Sequence, residues 1–316
     1  MAESQIPSAS VHLPIFIAGP TAVGKSEIAS LLAEQLGGEI ISADSMQVYR
    51  GLDIGTAKPS PAERARVPHH LIDICDLTEN FDAAQFIRLA QRAVEQIQSQ
   101  NKVPIFCGGT GLYFKAFLSG LGEAPATNPE LRAALEASSF EALLRELRER
   151  DPAAYAQIDK QNPRRVIRAV EVIRLTGKKF SEQRAEWKSE ARSKGQGLRF
   201  VCFTRSSEDL HARINARVDA MFARGLVDET RGLLPRGLEQ NKTAMQAIGY
   251  RQVVEHLRSE RPLAETIELV KSRTRQFAKR QLTWFRRQLD AEWIELKQDE
   301  SLEKCALTIL NSTIRV

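Results

Sequence analysis

The residues with the clearest chemical potential are Gly19–Ser26, whose sequence GPTAVGKS fits the phosphate-loop pattern G-x-x-x-x-G-K-[ST]. The apolar run Leu13 to Ala18 predicts a buried strand before the loop, and the residues from Glu27 onward predict an amphipathic helix after it. In such a unit the backbone N–H groups and the positive end of the helix bind an anion. Lys25 can reach a terminal phosphate and Ser26 can ligate Mg²⁺. The predicted phosphate-binding residues are Gly19, Pro20, Thr21, Ala22, Val23, Gly24, Lys25 and Ser26.

The elements that must position this loop are predicted from alternating apolar runs and helical patterns. Glu39 to Ala43 and Val103 to Cys107 have the pattern of buried strands, and Phe81 to Ser99 has that of a helix. The alternation predicts an α/β fold, a P-loop NTPase-like parallel sheet flanked by helices. Ligands in such sheets bind beyond the carboxyl ends of the strands. Asp44 and the run Gly108–Gly111 follow two of these ends, so we expect both to share one crevice with the loop.

The stretch 124–197 predicts an all-helical insertion. Three pairs of Asn or Asp with Pro, beginning at Asn128, Asp151 and Asn162, are N-cap and N1 signals for short helices. The outward residues of the third helix are predicted to be Arg164, Arg165 and Arg168. Three arginines this close together suit a nucleic-acid backbone and equally suit a solvated basic face, so both interpretations stay open.

The chain is predicted to return to its core after the insertion. Leu198 to Phe203 has the pattern of a strand, and a helix follows from about Glu208. Arg213 and Arg217 are four residues apart on that helix and share a face, where they could close over a phosphate chain or be ordinary surface charge. The predicted division is a flexible tail (1–10), a core (11–123), the insertion (124–197) and the rest of the core with basic C-terminal helices (198–316).

The C-terminal helical stretch Lys271 to Arg287 contains seven basic residues and no acidic one. Its apolar stripe at helical spacing predicts the buried side, and the residues of this stripe are Ala278, Leu282, Phe285 and Leu289. Arg273, Arg280 and Arg287 lie elsewhere on the helix, beside Phe277 and Trp284. Basic side chains next to aromatic rings suit a partly unstacked RNA, although the two aromatic residues could also be ordinary packing residues.

Composition sets outer limits on the function. A formal charge of +5 over 316 residues is too weak to prove a polyanionic partner. The four cysteines are far apart with no C-x-x-C pair, which favours buried or incidental thiols over a zinc site. The first ten residues lack the basic start and apolar region of a signal peptide, and no apolar run approaches membrane-spanning length. We therefore expect a cytoplasmic protein without a membrane partner.

Two further groups could imitate a metal site. Asp73 and Asp76 resemble the metal-binding strand end of an NTPase, but structural or loop roles are favoured because Asp44 has the better neighbours. His69 and His70 have no further histidine or cysteine nearby, so a metal site there is not expected.

Several long motifs together resemble one family, the tRNA dimethylallyltransferases, also called tRNA isopentenyltransferases. The phosphate loop is followed by Ile41–Pro59, with the sequence ISADSMQVYRGLDIGTAKP, and by Gly108–Tyr113. Gln246–Arg251 and Thr274–Arg286 also look like blocks of this family. The resemblance covers essentially residues 13 to 295. The zinc-finger extension of eukaryotic members is missing, so the resemblance is to the bacterial form.

The resemblance implies a reaction and roles for particular residues. The loop would hold the diphosphate of dimethylallyl diphosphate, and the acceptor would be N6 of adenosine 37 beside the anticodon of tRNA. Asp44 would be the base, Lys25 and Arg217 would stabilise the leaving diphosphate together with Mg²⁺ on Ser26, and Thr110 would position the acceptor. A small-molecule kinase and an adenylate isopentenyltransferase acting on free adenine nucleotides remain the alternatives.

The predicted partners are the tRNA anticodon stem-loop and dimethylallyl diphosphate, and we expect a monomer. The predicted tRNA contacts are Asp44, Ser45, Met46, Gln47, Thr110, Arg132, Arg164, Arg165, Val166, Ile167, Arg168, Gln246, Ala247, Ile248, Gly249, Tyr250, Arg251, Lys279, Arg280 and Arg287.

Overall fold

The computed structural model describes residues 12–122, 124–183, 199–298 and 300–313. These residues divide into two compact units, one made of residues up to Phe117 together with those from 199 onward, and one that begins at Leu118. The second unit begins inside the helix Gly111–Ser119, six residues before the predicted start of the insertion at Ala124. The two units are described separately below.

The first unit is built on a six-stranded sheet in which every paired strand is parallel. Its strands are β1 (Ile15–Ala18), β2 (Glu39–Ala43), β3 (His69–His70), β4 (Pro104–Gly108), β5 (Arg199–Thr204) and β6 (Glu292–Glu295). Their order across the sheet is β3-β2-β4-β1-β5-β6. The predicted fold class, a parallel sheet flanked by helices, is therefore confirmed. The sequence did not predict the two edge strands β3 and β6. The predicted strand Leu198 to Phe203 corresponds to β5, and its Leu198 lies outside the described residues.

Helices cover both faces of this sheet. Those before the second unit are α1 (Lys25–Leu36), α2 (Pro61–Arg66), α3 (Ala83–Ser99) and α4 (Gly111–Ser119). On one face of the sheet, Phe16 of β1 stacks on Phe106 and Phe200 of the two neighbouring strands, with ring centroids 4.8 and 5.8 Å away. On the other face, Ile15 and Ile17 of β1 belong to the core cluster that also contains the buried residues of α1. The central strand is thus buried on both sides, as parallel sheets require.

The second unit consists of short helices, α5 (Pro129–Glu136), α6 (Phe140–Arg150), α7 (Pro152–Gln157), α8 (Pro163–Thr176) and α9 (Phe180–Gln183). Each of the three predicted Asn-Pro or Asp-Pro signals begins a helix at its proline. The side chains of Asn128 and Asp151 accept hydrogen bonds from amides of their helices, and Asn162 makes no such cap bond. A core that includes Leu143, Leu147 and Val170 holds these helices together.

The chain then completes the first unit with α10 (Ser207–Ala223), α11 (Leu226–Leu233), α12 (Tyr250–Leu257), α13 (Leu263–Gln288) and α14 (Leu302–Thr313). Helix α13 begins eight residues before the predicted start at Lys271, and its predicted apolar stripe is correct at Ala278 and Phe285, which are buried. Long helices α10 and α13 pack against each other, and α14 packs against α1. Arg213 of α10 and Gln281 of α13 hydrogen-bond to the loop that follows β1.

All four cysteines are buried free thiols in this fold. Burial raises the pKa of Cys107 and of Cys75 to about 11 and that of Cys202 to about 12. None of the described helices combines the length and the apolar character that crossing a bilayer requires.

Candidate active site

The loop between β1 and α1 has the backbone shape of an anion-binding site. Gly24 is the N-cap of α1 with a φ of 110°, in the left-handed region, and it offers no side-chain cap. The first amides of α1 therefore have neither an intrahelical acceptor nor a capping side chain. Gly19 has a φ of 152°, and a Cβ there would lie 2.9 Å from the carbonyl oxygen of Phe203. Only glycine fits this close approach to β5, and the loop is left with a helix N-terminus suited to phosphate.

Four side chains fix the backbone of this loop. Lys25 Nζ lies 3.1 Å from the carbonyl oxygen of Pro20, Arg213 Nε donates to Ala22 at 2.9 Å, and Arg205 Nε donates to Val23 at 2.8 Å. From α13, Gln281 Oε1 accepts the amide of Thr21 at 2.9 Å. The Thr21 amide is thus bonded to Gln281, and the phosphate contacts predicted for Gly19 to Ser26 stay predictions.

A cleft of about 680 Å³ opens beside the loop. Its lining includes the cationic residues Lys25, Lys58, Arg66, Arg213, Arg217 and Arg224, with the exposed Ser26 among them. Burial lowers the pKa of Lys25, and the positive charge of Arg217 adds to this effect. Burial also lowers the pKa of Arg217, while the negative charge of Asp44 opposes it. The negative charge of Asp44 therefore lies near both cations, and the cleft suits a ligand with several negative charges.

Asp44 lies at the end of β2 in a turn that holds its carboxylate. Its Oδ1 accepts the amides of Met46 at 2.8 Å and Gln47 at 3.4 Å. Thr110, after β4, donates its amide to the carbonyl of Ala43 at 3.1 Å, and its Oγ1 accepts the amide of Ser45 at 3.0 Å. The structure therefore brings the predicted residues Asp44 and Thr110 together at adjacent strand ends. Asp44 does not line the cationic cleft itself.

A buried lysine supports the segment that follows this turn. Lys58 Nζ bonds to the carbonyl of Tyr49 at 2.8 Å and to Asp53 and Asp73 at 2.6 Å each. Asp73 also accepts from Arg64 at 2.7 Å. The contacts of Asp73 therefore agree with the structural role predicted for it. Asp76 pairs with the exposed Arg50 at 2.9 Å. The importance of Lys58 could not be read from the sequence, because a lone lysine gives no signal of burial.

Helix α13 presents two different faces. Lys279, Arg280 and Arg287 are exposed, and the guanidinium of Arg280 lies 5.8 Å from the ring centroid of the exposed Phe277. Trp284 instead packs against Gly111, where an added Cβ would come within 2.1 Å of its ring. Of the two aromatic residues, Phe277 thus lies on the surface beside basic charge, whereas Trp284 is a packing residue. Gln281 is a polar residue on the buried side of α13. The sequence analysis did not identify it, although its position three residues after Ala278 places it on the same side of the helix.

The predicted contact block Gln246–Arg251 is only partly accessible. Gln246 and Arg251 are exposed and Ile248 is partly so, whereas Ala247, Gly249 and Tyr250 are buried. The hydroxyl of Tyr250 donates to Glu229 at 2.5 Å and accepts the amide of Gly55 at 3.1 Å. The side chains of Ala247 and Tyr250 therefore pack the interior, and the RNA contacts predicted for this block stay predictions.

In the second unit, Arg164 and Arg165 are exposed on α8, but other predicted contacts are not. Val166 and Ile167 are 0% and 7% exposed, because their side chains form the core of this unit. Arg168 pairs with the buried Glu171 at 2.8 Å and donates to the carbonyl of Pro125 at 2.5 Å. The guanidinium of Arg132 also forms an ion pair with Glu171, at 3.4 Å. The side chains of Val166 and Ile167 therefore pack the core, and Arg168 pairs with a buried carboxylate, which needs a cationic partner. The RNA contacts predicted for these residues stay predictions.

Comparison with known proteins agrees with this arrangement. A family model described as IPP transferase matches residues 47–288. A protein named tRNA dimethylallyltransferase from Geobacter sulfurreducens is 47% identical over 285 residues, covering 89% of this chain and 91% of that protein. One of the same name from Alkaliphilus oremlandii is 41% identical over 301 residues, covering 94% and 95%.

Solved structures give the same result. A tRNA isopentenylpyrophosphate transferase from Bacillus halodurans has a TM-score of 0.69 at 39% identity, covering 96% of this chain and 97% of that chain. A eukaryotic dimethylallyltransferase described as acting on tRNA has a TM-score of 0.77 at 28% identity, covering 96% and 79%. The family match, the identities over most of the chain and the phosphate loop beside Asp44 and Thr110 lead to one conclusion: this chain belongs to the IPP transferase family and is a prenyltransferase.

Proposed function

We propose that the protein transfers the dimethylallyl group from dimethylallyl diphosphate to N6 of adenosine 37 in tRNA, giving N6-(dimethylallyl)adenosine and diphosphate. The observation that carries the proposal is that the anion-binding loop after β1 and the Asp44–Thr110 pair after β2 and β4 lie at one edge of the parallel sheet, where Lys25 and Arg217 line a cleft beside the loop. One side of this arrangement suits a leaving diphosphate. The other suits a neutral amine that must lose a proton.

The chemical step follows from these charges. The lone pair of N6 attacks the allylic carbon C1, the C1–O bond breaks, and the bond electrons leave with the diphosphate. An exocyclic adenine amine is a poor nucleophile because its lone pair is delocalised into the ring, so a base that takes the N6 proton during attack lowers the barrier. Asp44 is that base, and Lys25 and Arg217 stabilise the charge that grows on the diphosphate.

Mg²⁺ fits the donor set at the start of α1. The exposed Ser26 offers a hydroxyl oxygen that lines the cleft beside Lys25. Mg²⁺ in phosphate sites takes most of its ligands from substrate oxygens and water, so one protein hydroxyl is sufficient. When bound, the ion supplies additional positive charge to the leaving diphosphate. The described residues include no group of three or more His, Cys, Asp or Glu suited to hold a metal without substrate.

The acceptor adenosine must leave the stacked anticodon loop to reach Asp44. Flipping a base costs roughly a few kcal/mol, which new stacking and phosphate contacts must offset. The exposed residues Lys279, Arg280 and Arg287 beside Phe277 can supply both kinds of contact, and Arg164 and Arg165 can supply charge from the second unit. We propose the anticodon stem-loop as the RNA partner and a monomer as the functional state.

The experiment offers radiolabelled dimethylallyl diphosphate and Mg²⁺, without ATP, together with tRNA, AMP or neither acceptor. We expect label in tRNA that carries adenosine at position 37 and none when guanosine replaces it. Label in AMP alone would identify an adenylate isopentenyltransferase. Strict ATP dependence, or transfer of a γ-phosphate to a small metabolite, would identify a kinase and refute the proposal.

Replacing Arg280 and Arg287 together by Ala is expected to weaken tRNA binding for all substrate tRNAs alike. Phosphate contacts release counterions regardless of sequence, so the slope of log K against log salt should become shallower by about 1–2. Fluorescence titration of labelled tRNA at several salt concentrations measures this slope. The matched control replaces Arg88 and Arg92, two exposed arginines four residues apart on α3, which should leave the slope unchanged. An unaltered slope in the Arg280 and Arg287 variant would mean that both residues lie on a solvated face only.

A further inference from the structure

Gln281 joins the two loops that form the candidate active site. It is 7% exposed, on the buried side of α13. Its Oε1 accepts the amide of Thr21 at 2.9 Å, and its Nε2 donates to the carbonyl of Gly109 at 2.8 Å. Thr21 belongs to the loop after β1 and Gly109 to the loop after β4, and these strands pair directly. One side chain therefore spans the diphosphate side and the acceptor side of the proposed reaction.

The two partners require a carboxamide. The Thr21 amide is a donor and needs an acceptor, whereas the Gly109 carbonyl is an acceptor and needs a donor. A Gln side chain provides one of each, and this requirement fixes which atom is oxygen and which is nitrogen. A carboxylate of the same length would satisfy Thr21 and repel the carbonyl of Gly109. A methionine would satisfy neither partner.

The contacts around this bridge connect it to the turn that carries Asp44. A Cβ on Gly109 would come within 2.3 Å of Gln281 Nε2, so the absence of a side chain there permits the contact. The next residue, Thr110, accepts the amide of Ser45, which directly follows Asp44. A shift of the loop after β4 would therefore move Thr110 and the turn that carries Asp44. The same side chain holds the loop that contains Lys25.

We propose that Gln281 is a positioning residue that fixes the separation between the phosphate loop and the Asp44–Thr110 pair, and thereby aligns the two substrates. This inference rests on the proposed function. Gln281 contacts the two loops through their backbone and takes no proton or charge from the reaction. Alignment matters because a misplacement of about 1 Å between reacting groups can cost on the order of 10²-fold in rate.

The test compares Gln281→Met with Gln276→Met in the full chain. Met is similar to Gln in length and volume and lacks its hydrogen bonds, and Gln276 is an exposed glutamine on the same helix. We expect Gln281→Met to lower kcat by roughly 10- to 100-fold, with much smaller changes in the KM for either substrate. A purely structural role would instead reduce the fraction of active protein and leave kcat per active site unchanged. Titration of active sites separates the two cases.

Two further measurements keep the inference refutable. Hydrogen exchange at the Thr21 amide should be slow in the wild-type protein and faster in Gln281→Met, and rapid exchange in the wild type would refute the bridge without any variant. Gln281→Glu should additionally raise the KM for dimethylallyl diphosphate, because its carboxylate would lie near the phosphates. If wild-type protein is active and Gln281→Met matches Gln276→Met in kcat, the alignment role is wrong. If the wild type forms no prenylated RNA, the proposed function is wrong, and the alignment role falls with it.

Discussion

Asp44→Asn is expected to lower kcat by a factor of about 10²–10⁴, the usual contribution of a general base. Asn keeps an oxygen that can accept the amides of Met46 and Gln47, so the turn at the end of β2 should survive while the proton acceptor is lost. Single-turnover transfer of labelled dimethylallyl group to tRNA measures the chemical step, and thermal unfolding measures the fold. We expect the melting temperature and the tRNA affinity to stay close to the wild-type values.

The matched control for this substitution is Asp76→Asn. Asp76 comes after β3, and it is exposed and pairs with Arg50 at the surface. Exposed ion pairs contribute little, so the control should retain nearly full activity. Turnover by Asp44→Asn within threefold of the control would exclude Asp44 as the base.

Lys25→Ala is expected to slow transfer by about 10²–10³-fold, because one cationic donor to the leaving diphosphate is lost. The exposed Lys297→Ala serves as the control for loss of a lysine elsewhere. Transfer rates at saturating dimethylallyl diphosphate separate weaker binding from slower chemistry. A variant that binds the diphosphate normally and reacts at the wild-type rate would show that Lys25 does not stabilise the transition state.

The lowered pKa of Lys25 adds a pH dependence with a definite sign. Burial favours the neutral amine, so the free protein loses the Lys25 charge at a lower pH than an ordinary lysine would. The alkaline decline of kcat/KM, which reports groups of the free enzyme, should therefore begin at lower pH than for an exposed lysine. The decline should be absent from the residual activity of Lys25→Ala.

Much of the candidate site could be predicted because its residues follow buried strands. The phosphate loop, Asp44 and Thr110 each come after an apolar run, and strands of a parallel sheet end at one edge. That local pattern determines which residues meet. The insertion could be predicted for a similar reason, since the prolines at 129, 152 and 163 mark helix starts within a few residues of sequence.

The remaining features depend on contacts between distant residues. Gln281 meets Thr21 across 260 positions, and Arg205 meets Val23 across 182, so no local pattern predicts either bond. The edge strand β3 has only two residues, which is too short for a periodic signal. Helical spacing alone predicts an outward Arg168, whereas in the structure it pairs with the buried Glu171 three residues later in the helix. In each case a tertiary partner determines the role of the residue.

The central position of β1 also determines when the phosphate loop can acquire its shape during synthesis. Ile15 pairs with Ile105 on one side and with Arg199 on the other, whereas the helices α5 to α9 pack against close neighbours in the chain. Local contacts form faster than distant ones, so we expect the second unit to fold on the ribosome while β1 still lacks one partner. Arg205, Arg213 and Gln281 emerge later still. A nascent chain should therefore gain affinity for diphosphate only after α13 has left the exit tunnel, late in translation.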